Sequence, residues 1–397
     1  MNYLHIMPPS QRMMLTYVEM LRKNFPAEQH RIVLCEPIAA GDAGLLLYDN
    51  VVPFEALGNN KFKRLKNITE ELNKADRIVF HSFMPTKIWN LAIFLNQSIL
   101  DRSLWVVWGI DLYNYQRPRN GFRNKLFNNL GYKFRSRMRY PVVVSEPDAE
   151  EYNKRFGTHV VKYAPYAFAD SRFELMDKAK EEKKDDPIFL EKLHEYADPC
   201  FAGEISDDSI NIQVCHNGFS FNKHFEVLNY LQPLLLKKEE KQITLYLPLS
   251  YGNDQLTKKV TYKDALTSYI KQKFVSKVVV LSKIMPNNYY TKYLSMIDVA
   301  IFNAPRHNAL GNILQLLYMG KKVYLSSKSP LLDYLCKKGL RVHTVDELKN
   351  ITYDELIKMD DNSEAPIIIK DMFSVDVMLK RWQDIFEQCE KYDSFQG

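Results

Sequence analysis

Two polar side chains stand where predicted β-strands end, and both are of types that can move a proton. His81 follows the run Arg77–Phe80, and Asp111 follows the strongly apolar run Leu104–Trp108. A carboxylate beside aromatic rings can take a proton from a hydroxyl group or hold a ligand, and an imidazole can do the same. In a purely structural role, the aspartate would cap a turn and the histidine would fill the core. We expect the two to face one substrate as a catalytic pair, without assigning which of them takes the proton.

A second group of polar residues follows the predicted strand Ile210–Cys215 and leads into a predicted helix at Lys223–Leu236. A loop that ends at a helix N-terminus presents backbone N–H groups that bind phosphate. The predicted phosphate-binding residues here are Asn217, Gly218, Ser220, Asn222 and His224. The alternative is that Ser220 or Asn222 only caps the helix. Tyr251, after the next predicted strand, either lines the same pocket or belongs to a plain turn.

The stretch from Asp298 to Leu325 predicts a βαβ unit with a similar loop. Val299–Phe302 is typical of a buried strand, and leucines at helical spacing predict a helix that ends at Gly320. The polar loop between them lies at the carboxyl end of a strand and opens a helix, as phosphate sites do. Its candidate binding residues are Arg306, His307, Asn308 and Gly311. The alternative is an ordinary loop that holds nothing.

Residues 112–145 contain no acidic residue, and their basic residues are interleaved with aromatic ones. The basic residues are Arg117, Arg119, Arg123, Lys125, Lys133, Arg135, Arg137 and Arg139. This pattern suits an interfacial helix on anionic lipid or a clamp for a lipid diphosphate. Nucleic acid is the rival partner, but no nucleic-acid motif accompanies the stretch and the net charge of +6 is modest. A solvated helix with a core-facing aromatic stripe is the structural alternative. We favour peripheral membrane contact through residues 113–140 and no nucleic-acid partner.

The elements that position these residues alternate between strands and helices. In the first half, strands are predicted at Tyr3–Met7, Arg31–Cys35, Leu45–Tyr48, Arg77–Phe80, Leu104–Trp108, Val142–Val144 and His159–Lys162. Helices are predicted at Gln11–Lys23, Phe62–Asn73, Ile88–Leu95 and Asp148–Phe156. The second half repeats the pattern, with strands at Ile210–Cys215, Ile243–Leu247 and Val278–Leu281 and helices at Lys223–Leu236, Lys258–Lys273 and Asn287–Ile297. Such alternation predicts two doubly wound parallel sheets, an α/β fold with Rossmann-like domains.

The alternation stops around the charge run at residues 178–186, which predicts a solvated helix face or a linker. We therefore place an N-terminal domain at residues 1–185 and a C-terminal domain at 186–397. The last predicted helix, Val375–Lys391, is amphipathic and could pack back on the first domain. Ligands of open α/β sheets bind outside the carboxyl ends of the strands, so we expect the two sheets to face each other across a cleft.

Composition narrows the class of protein further. A chain of 397 residues with 46% hydrophobic residues has ample core for two domains. The five cysteines are scattered without metal-binding spacing, which favours a reduced, cytoplasmic compartment. No run of apolar residues is long enough to span a membrane. The paired aspartates, Asp185–Asp186, Asp207–Asp208 and Asp360–Asp361, lie in polar runs rather than after strands, so we predict neither a metal site nor a cofactor.

Four stretches carry a resemblance to a known family. His81-Ser-Phe-Met-Pro85 with Trp89 resembles H-G-x-F-N-P-x-x-W, and Trp108-Gly-Ile-Asp-Leu-Tyr113 resembles W-G-x-D-L-Y. Asn217–His224 is similar to G-N-S-G-D-x-S-N-x-H, and Asp298–Gly320 has a similar strand, arginine-containing loop, glycine and leucine-rich helix. These motifs belong to the bacterial 4-acetamido-4,6-dideoxygalactose (Fuc4NAc) transferases, glycosyltransferase family 56. Phe219 and Ser220 stand where the family has Asp-Arg, which leaves the donor sugar open.

The resemblance implies a GT-B glycosyltransferase that needs no metal, with the donor nucleotide in the C-terminal domain and the acceptor in the N-terminal one. The expected acceptor-binding residues are Trp108, Tyr113 and Arg123. The expected reaction moves a deoxyamino or fucose-like sugar from a nucleotide diphosphate to a polyprenyl-diphosphate-linked saccharide in surface polysaccharide synthesis. The expected location is the inner face of the cytoplasmic membrane. Two alternatives stay open: a nucleotide-sugar epimerase of GT-B shape, and a non-catalytic nucleotide-sugar-binding protein.

Overall fold

A computed structural model describes most of the chain. The described residues are 1–9, 11–38, 43–83, 87–113, 122–138, 140–157, 161–164, 166–182, 186–201, 209–235, 242–274 and 277–394, without the side chains of 11–13, 43, 110, 122–128 and 392–394. The chain divides into two compact units, one formed by residues 1–170 and 371–397 and the other by residues 171–370. Each unit is built on one parallel sheet.

The first unit contains a seven-stranded sheet. Its strands are β1 (Tyr3–Met7), β2 (His30–Leu34), β3 (Val51–Val52), β4 (Arg77–His81), β5 (Ser103–Val106), β6 (Tyr140–Val143) and β7 (Lys162–Tyr163). Their order is β3-β2-β1-β4-β5-β6-β7, and all neighbouring pairs are parallel. Tyr3 of β1 is in register with His30 on one side and Arg77 on the other. The strand order reverses at β1 and β4, so the loops after these two strands lie at the topological switch point.

Helices cover both faces of this sheet. They are α1 (Gln11–Asn24), α2 (Lys61–Lys74), α3 (Lys87–Leu95), α4 (Gly109–Tyr113), α5 (Phe122–Arg137) and α6 (Glu146–Phe156), together with the last helix of the chain, Val375–Ser394. On one face, Ile68 of α2 and Trp89 of α3 share a core cluster with Tyr152 of α6. On the other face, Met14 of α1 and Trp382 of the last helix lie in a second cluster. The last helix therefore completes the core of the first unit.

The second unit contains a six-stranded parallel sheet. Its strands are β8 (Ile210–Val214), β9 (Ile243–Pro248), β10 (Val278–Leu281), β11 (Val299–Phe302), β12 (Lys322–Leu325) and β13 (His343–Thr344). Their order is β10-β9-β8-β11-β12-β13. Val299 of β11 is in register with Ile212 of β8 and with Lys322 of β12. The switch point of this sheet is at β8 and β11.

Nine helices belong wholly or mostly to the described part of the second unit. They are α7 (Asp170–Glu181), α8 (Pro187–Tyr196), α9 (His224–Leu235), α10 (Tyr262–Lys273), α11 (Asn287–Met296), α12 (Leu310–Tyr318), α13 (Pro330–Lys337), α14 (Tyr353–Ile357) and α15 (Ala365–Phe373). Helix α10 begins at Tyr262 rather than at the predicted Lys258, because Thr261 and Asp264 form a capping box that starts the helix there.

The predicted doubly wound α/β architecture is confirmed, and several strands have the predicted bounds. One local prediction is wrong. The run Leu45–Tyr48 is not a strand, because Ala43–Leu47 forms a 3-10 helix. Leu45 and Leu47 would lie on the same face of a strand, yet Leu45 is buried and Leu47 is 80% exposed. Gly109 follows β5, as predicted, and begins helix α4.

The region around the charge run is helical. The first unit gives way to the second at Asp170, before this run and before the predicted boundary at residue 185. Helix α7 contains Lys178, and Asp186 caps α8 by accepting the backbone N–H of Ile188 at 3.1 Å. No helix in the described ranges is both long and apolar enough to cross a membrane.

Candidate functional site

The best-defined candidate site lies at the switch point of the second sheet. One loop follows β8, from Cys215 to Lys223, and the other follows β11, from Asn303 to Ala309. Because helices leave from neighbouring strands in opposite directions, loops at a switch point are where open α/β sheets bind ligands. Cys215, Lys223 and Ala309 have positive φ values of 60°, 53° and 61°, so the backbone turns sharply at the ends of both loops.

Hydrogen bonds between side chains shape the loop after β8. Asn222 is fully buried, and its Nδ2 donates to Asn217 Oδ1 at 2.6 Å and to the Asn217 carbonyl at 3.1 Å. Asn217 Oδ1 also accepts the backbone N–H of Phe219 at 3.1 Å. Across the switch point, Asn308 Nδ2 donates to Asn222 Oδ1 at 3.2 Å. Asn222 therefore links the two loops through its side-chain amide.

The loop after β8 is also packed closely against the loop after β9. A Cβ atom on Gly218 would lie 2.5 Å from the carbonyl oxygen of Gly252 and would overlap the Lys263 side chain, so only glycine fits at residue 218. Ser220 donates to Asp254 Oδ2 from its backbone N–H at 2.7 Å and from its hydroxyl at 2.6 Å. Ser220 therefore connects the two loops by hydrogen bonds. This is a structural role, in addition to the predicted role in phosphate binding.

Two histidines near the loop are buried and neutral. Burial first, and the nearby His224 and Arg306 next, lower the pKa of His216 to about 3. Burial likewise lowers the pKa of His224 to about 3. His216 Nε2 lies 2.9 Å from Asn217 Nδ2. The Asn217 oxygen already accepts two bonds, so its Nδ2 donates and the His216 proton is on Nδ1. His224 faces inward, with Nδ1 3.3 Å from the Tyr262 hydroxyl.

The loop after β11 brings a cation to the switch point. The guanidinium of Arg306 lies 3.7 Å from the centroid of the Phe221 ring. Helix α12 begins just beyond, and its N-cap residue Ala309 has no side chain that could bond to the N–H groups of the first turn. A Cβ atom on Gly311, in that first turn, would meet no heavy atom within 4 Å. A cation and an uncapped helix N-terminus form a favourable environment for an anionic group.

The structure brings most of the predicted donor residues together. Gly218, Asn222, Arg306 and Asn308 lie in the two loops, with His307 half-buried in the second loop. The Tyr251 ring lies 6.1 Å from the His216 ring, at the edge of the same region. Their binding role stays a prediction.

Sequence reasoning missed His216, Asn303 and Lys263. Asn303 directly follows β11 and is buried, and its Nδ2 has no hydrogen-bond partner among the described residues. A polar residue at the end of an apolar strand was the available signal for Asn303. Lys263 gave none, because its contact with the loop depends on the packing of α10.

In the first unit, the Asp111 carboxylate is 1% exposed and accepts three hydrogen bonds. Oδ2 accepts the N–H of Phe83 at 2.6 Å and the indole N–H of Trp105 at 2.7 Å, and Oδ1 accepts the N–H of Trp108 at 2.8 Å. Burial raises the pKa of Asp111 to about 6, although these bonds and Arg135 oppose the shift. The carboxylate thus fixes the turns after β4 and β5. Its predicted catalytic role stays a prediction.

His81 belongs to a buried chain of ring-to-ring hydrogen bonds. His81 Nε2 lies 3.2 Å from His5 Nδ1, and His5 Nε2 lies 3.0 Å from His30 Nδ1. At the other end, His81 Nδ1 lies 2.6 Å from the Tyr166 hydroxyl, which accepts the indole N–H of Trp108 at 3.2 Å. This chain of hydrogen bonds therefore runs from His30, at the amino edge of the sheet, to Tyr166 and Trp108, at the carboxyl edge.

One arrangement of protons gives every ring-to-ring hydrogen bond one donor and one acceptor. The Tyr166 oxygen accepts the indole N–H of Trp108, and in this arrangement the Tyr166 hydroxyl donates to His81 Nδ1. Burial lowers the pKa of His81 to about 3 and of His30 to about 4, and it holds the pKa of His5 well below its usual value. All three rings are therefore neutral, and in this arrangement each carries its proton on Nε2. Both ring nitrogens of His81 have partners inside the unit.

The predicted acceptor residues lie near the same carboxyl edge. Trp108 is half-buried beside Tyr166, and its ring is edge-on to the Tyr166 ring at 5.9 Å. The Tyr113 hydroxyl donates to Asp148 at 3.4 Å. The side chain of Arg123 lies outside the described residues. Their acceptor role stays a prediction.

A cavity of about 310 Å³ lies elsewhere in the second unit, among α7, α8 and α11. Phe189 and Tyr289 line it, and Lys292 at its wall is paired with Glu182 at 3.0 Å and with Asp186. Since this lysine is paired with carboxylates and neither switch-point loop reaches the cavity, the switch point is the better anion site.

No protein-family model matches this sequence, and no curated protein matches it. Many solved structures match the fold. HepE of Anabaena, in complex with UDP and glucose, is 14% identical with a TM-score of 0.63 over 98% of this chain and 100% of that chain. A glycosyltransferase from Rickettsia africae is 13% identical with a TM-score of 0.63 over 98% of each chain. A UDP-N-acetylglucosamine 2-epimerase is 9% identical with a TM-score of 0.51 over 100% of this chain and 96% of that chain.

These likenesses concern the fold, since every identity is low. The resemblance to the Fuc4NAc transferases stays a prediction. With two Rossmann-like units on parallel sheets, the chain has the fold of GT-B glycosyltransferases.

Proposed function

We propose that this protein is a glycosyltransferase that moves a sugar from a nucleotide diphosphate to an acceptor hydroxyl group. The observation that carries the proposal is the switch point of the second sheet, where Arg306 and the uncapped N-terminus of α12 meet the loop after β8. A leaving diphosphate develops negative charge, and positioned N–H groups and cations stabilise that charge. The shared fold with a structure that holds UDP and glucose supports the choice of a nucleotide sugar.

The proposed reaction divides the chemistry between the two units. The second unit binds the donor, and its diphosphate is stabilised by Arg306 and backbone N–H groups rather than by a metal ion. The first unit binds the acceptor beside Trp108 and Tyr113. Asp111 and His81 are the candidate pair for taking the hydroxyl proton. Because the partners of both are internal, we expect any proton transfer to involve a change in these hydrogen bonds.

The finer identity of the substrates follows from the motifs. We propose a deoxyamino or fucose-like donor sugar, a polyprenyl-diphosphate-linked saccharide as the acceptor, and a location at the inner face of the cytoplasmic membrane. Residues 113–140 would contact the membrane. Helix α5, within this stretch, carries five basic residues and no acidic residue, which supports attraction to anionic lipid.

The test measures binding of UDP, dTDP, GDP and CDP to the full chain by thermal shift and by titration calorimetry, each with and without EDTA. We expect UDP, which the neighbour of the same fold holds, to bind with the same affinity under both conditions. Loss of binding in EDTA would contradict the metal-independent part. A folded sample that binds none of the four would contradict the donor site itself.

The second candidate is an epimerase, which the structural neighbour with that activity keeps open. An epimerase converts its nucleotide sugar without any acceptor, whereas a transferase consumes the donor only when an acceptor is present. The protein is incubated with sugar derivatives of the nucleotide that it binds, once alone and once with a membrane lipid extract. Chromatography of the products then distinguishes an epimerase from a transferase. A protein that binds the donor but converts it in neither mixture would be a binding protein.

A further inference from the structure

Helix α3 presents an apolar stripe to solvent. Leu91, Phe94 and Leu95 are 45%, 50% and 62% exposed, and their spacing places them on one side of the helix. The opposite side carries Trp89, Ala92 and Ile93, which are buried in the core of the first unit. The helix is therefore apolar on both sides, although only one side has a protein core to pack against.

The neighbours of α3 on the same face of the sheet are basic. Next to α3 on one side is α2, where Asn96 just past α3 donates to Asn73 and Arg102 donates to the Leu72 carbonyl at 2.9 Å. Helix α5 contacts the segment just after α3, where Arg137 donates to Gln97 at 3.1 Å and to Asp101 at 2.9 Å. The apolar stripe thus has α2 beside it, and α5 packs against the segment at its C-terminal end.

The exposed basic residues of α2, α3 and α5 outnumber the exposed acidic residues of the same helices. Lys61 and Lys63 are exposed on α2, Lys87 is exposed at the start of α3, and Lys133 is exposed on α5. The nearby carboxylates are already engaged, since Asp101 pairs with Arg137, Glu70 with Lys66 and Glu71 with Arg31. An apolar centre with a basic border matches the interfacial region of an anionic bilayer.

We propose that the outer face of α3 docks on an anionic lipid bilayer, with Leu91, Phe94 and Leu95 inserted at the level of the headgroups and the lysines of α2, α3 and α5 above the phosphates. This inference rests on the proposed function for its purpose, because a transferase acting on a lipid-linked saccharide must work at a membrane surface. The docking proposal assigns the apolar contact with the bilayer to α3, which lies outside the basic stretch at residues 113–140. A second copy of the chain is the rival occupant of the stripe.

The experiment is co-sedimentation of the full-length protein with vesicles of phosphatidylcholine alone and of phosphatidylcholine with phosphatidylglycerol. We expect the natural protein to bind the anionic vesicles and to be released by salt. The variant Leu91→Ser/Phe94→Ser/Leu95→Ser should bind at least tenfold more weakly. The matched control is Leu47→Ser, which removes an exposed leucine of the same unit outside α3 and should bind like the natural protein.

Insertion has its own readout. The variant Phe94→Trp should add a fluorescence component that shifts to the blue on anionic vesicles and is quenched by brominated lipid. Equal vesicle binding by the triple variant and the natural protein would overturn the proposal, as would an added fluorescence component in Phe94→Trp that vesicles leave unchanged. Self-association of the natural protein that the triple variant abolishes, without vesicle binding, would assign the stripe to a second copy. Failure to bind vesicles together with normal UDP binding would overturn the docking surface while the proposed function stands.

Discussion

Arg306 and Phe221 join the two loops of the switch point, with the guanidinium 3.7 Å from the centroid of the ring. Phe221 follows β8 and Arg306 follows β11, so the contact connects neighbouring strands of the sheet. A guanidinium over an aromatic ring can still donate hydrogen bonds from its edge. The contact thus holds a cation against the loop after β8, in the loop that leads into α12.

Replacement of Arg306 by lysine keeps the charge but removes the guanidinium that lies over the Phe221 ring. We expect Arg306→Lys to weaken UDP binding about tenfold, because an ammonium cannot match the bidentate geometry of a guanidinium on phosphate oxygens. Titration calorimetry measures the change. Lys192→Met is the control, because it removes a cation that lies 5.0 Å from the Tyr289 ring in the same unit, outside the switch point. Equal affinities of Arg306→Lys and the natural protein would remove Arg306 from the site.

The Asn222 amide is the internal link of the site. Asn222→Asp should lower the free energy of unfolding of the second unit by about 1–3 kcal/mol, because a carboxylate cannot donate to the Asn217 oxygens and repels them. UDP affinity should fall as well, since the loop after β8 loses its support. Chemical denaturation followed by circular dichroism measures the stability. Asn229→Asp, on the outer side of α9, is the control. A variant as stable as the control would show that the loop does not depend on this amide.

Gly311 tests the helix N-terminus without disturbing the fold. A Cβ atom there meets no protein atom within 4 Å, and alanine favours helix over glycine by about 0.5–1 kcal/mol. We therefore expect Gly311→Ala to be at least as stable as the natural protein, and Gly311→Leu to fold while blocking the N–H groups of the first turn. UDP binding should decrease in the order Gly, Ala, Leu. Unchanged affinity in Gly311→Leu would place the phosphates elsewhere.

The histidine chain predicts the acid stability of the first unit. Its histidines have pKa values lowered by burial, to about 3 for His81 and about 4 for His30, so they stay neutral in the folded state. Their contribution to the free energy of unfolding is present above pH 6.5. It is lost as the pH falls toward these pKa values, because the unfolded chain takes up the protons first. Below about pH 6, each histidine should lower the free energy of unfolding by about 1.4 kcal/mol for each pH unit.

The variant His30→Gln should flatten the acid limb of the stability curve by the slope of one histidine. All four tryptophans, Trp89, Trp105, Trp108 and Trp382, belong to the first unit, so tryptophan fluorescence reports its unfolding alone. His194→Gln is the control, because that residue belongs to the second unit. Parallel curves for His30→Gln and the natural protein would show that His30 is not buried as a neutral ring. The tautomers are checked separately by nitrogen NMR, which should find Nε2–H on all three histidines.

The sequence by itself determined the elements and their alternation. Val299–Phe302, the polar loop, the helix and Gly320 were predicted as one βαβ unit, and the structure confirms each part, with φ of 74° at Gly320. These features are local, since apolar periodicity and a left-handed glycine depend on neighbouring residues only. The same reasoning failed at Leu45–Tyr48, because a short apolar run does not reveal how many of its faces will be covered.

Only the tertiary structure decided which residues meet. Asn308 and Asn222 are 86 positions apart, and His5 and His81 are 76 apart, yet each pair is joined by a hydrogen bond. The first pair forms because β8 and β11 are neighbours in the sheet, and the second because β1 and β4 are neighbours. Strand order and register bring such residues together, and neither is written in the local pattern of any one strand. The same holds for Asp111, whose three hydrogen-bond donors come from two strand ends that only the folded sheet places side by side.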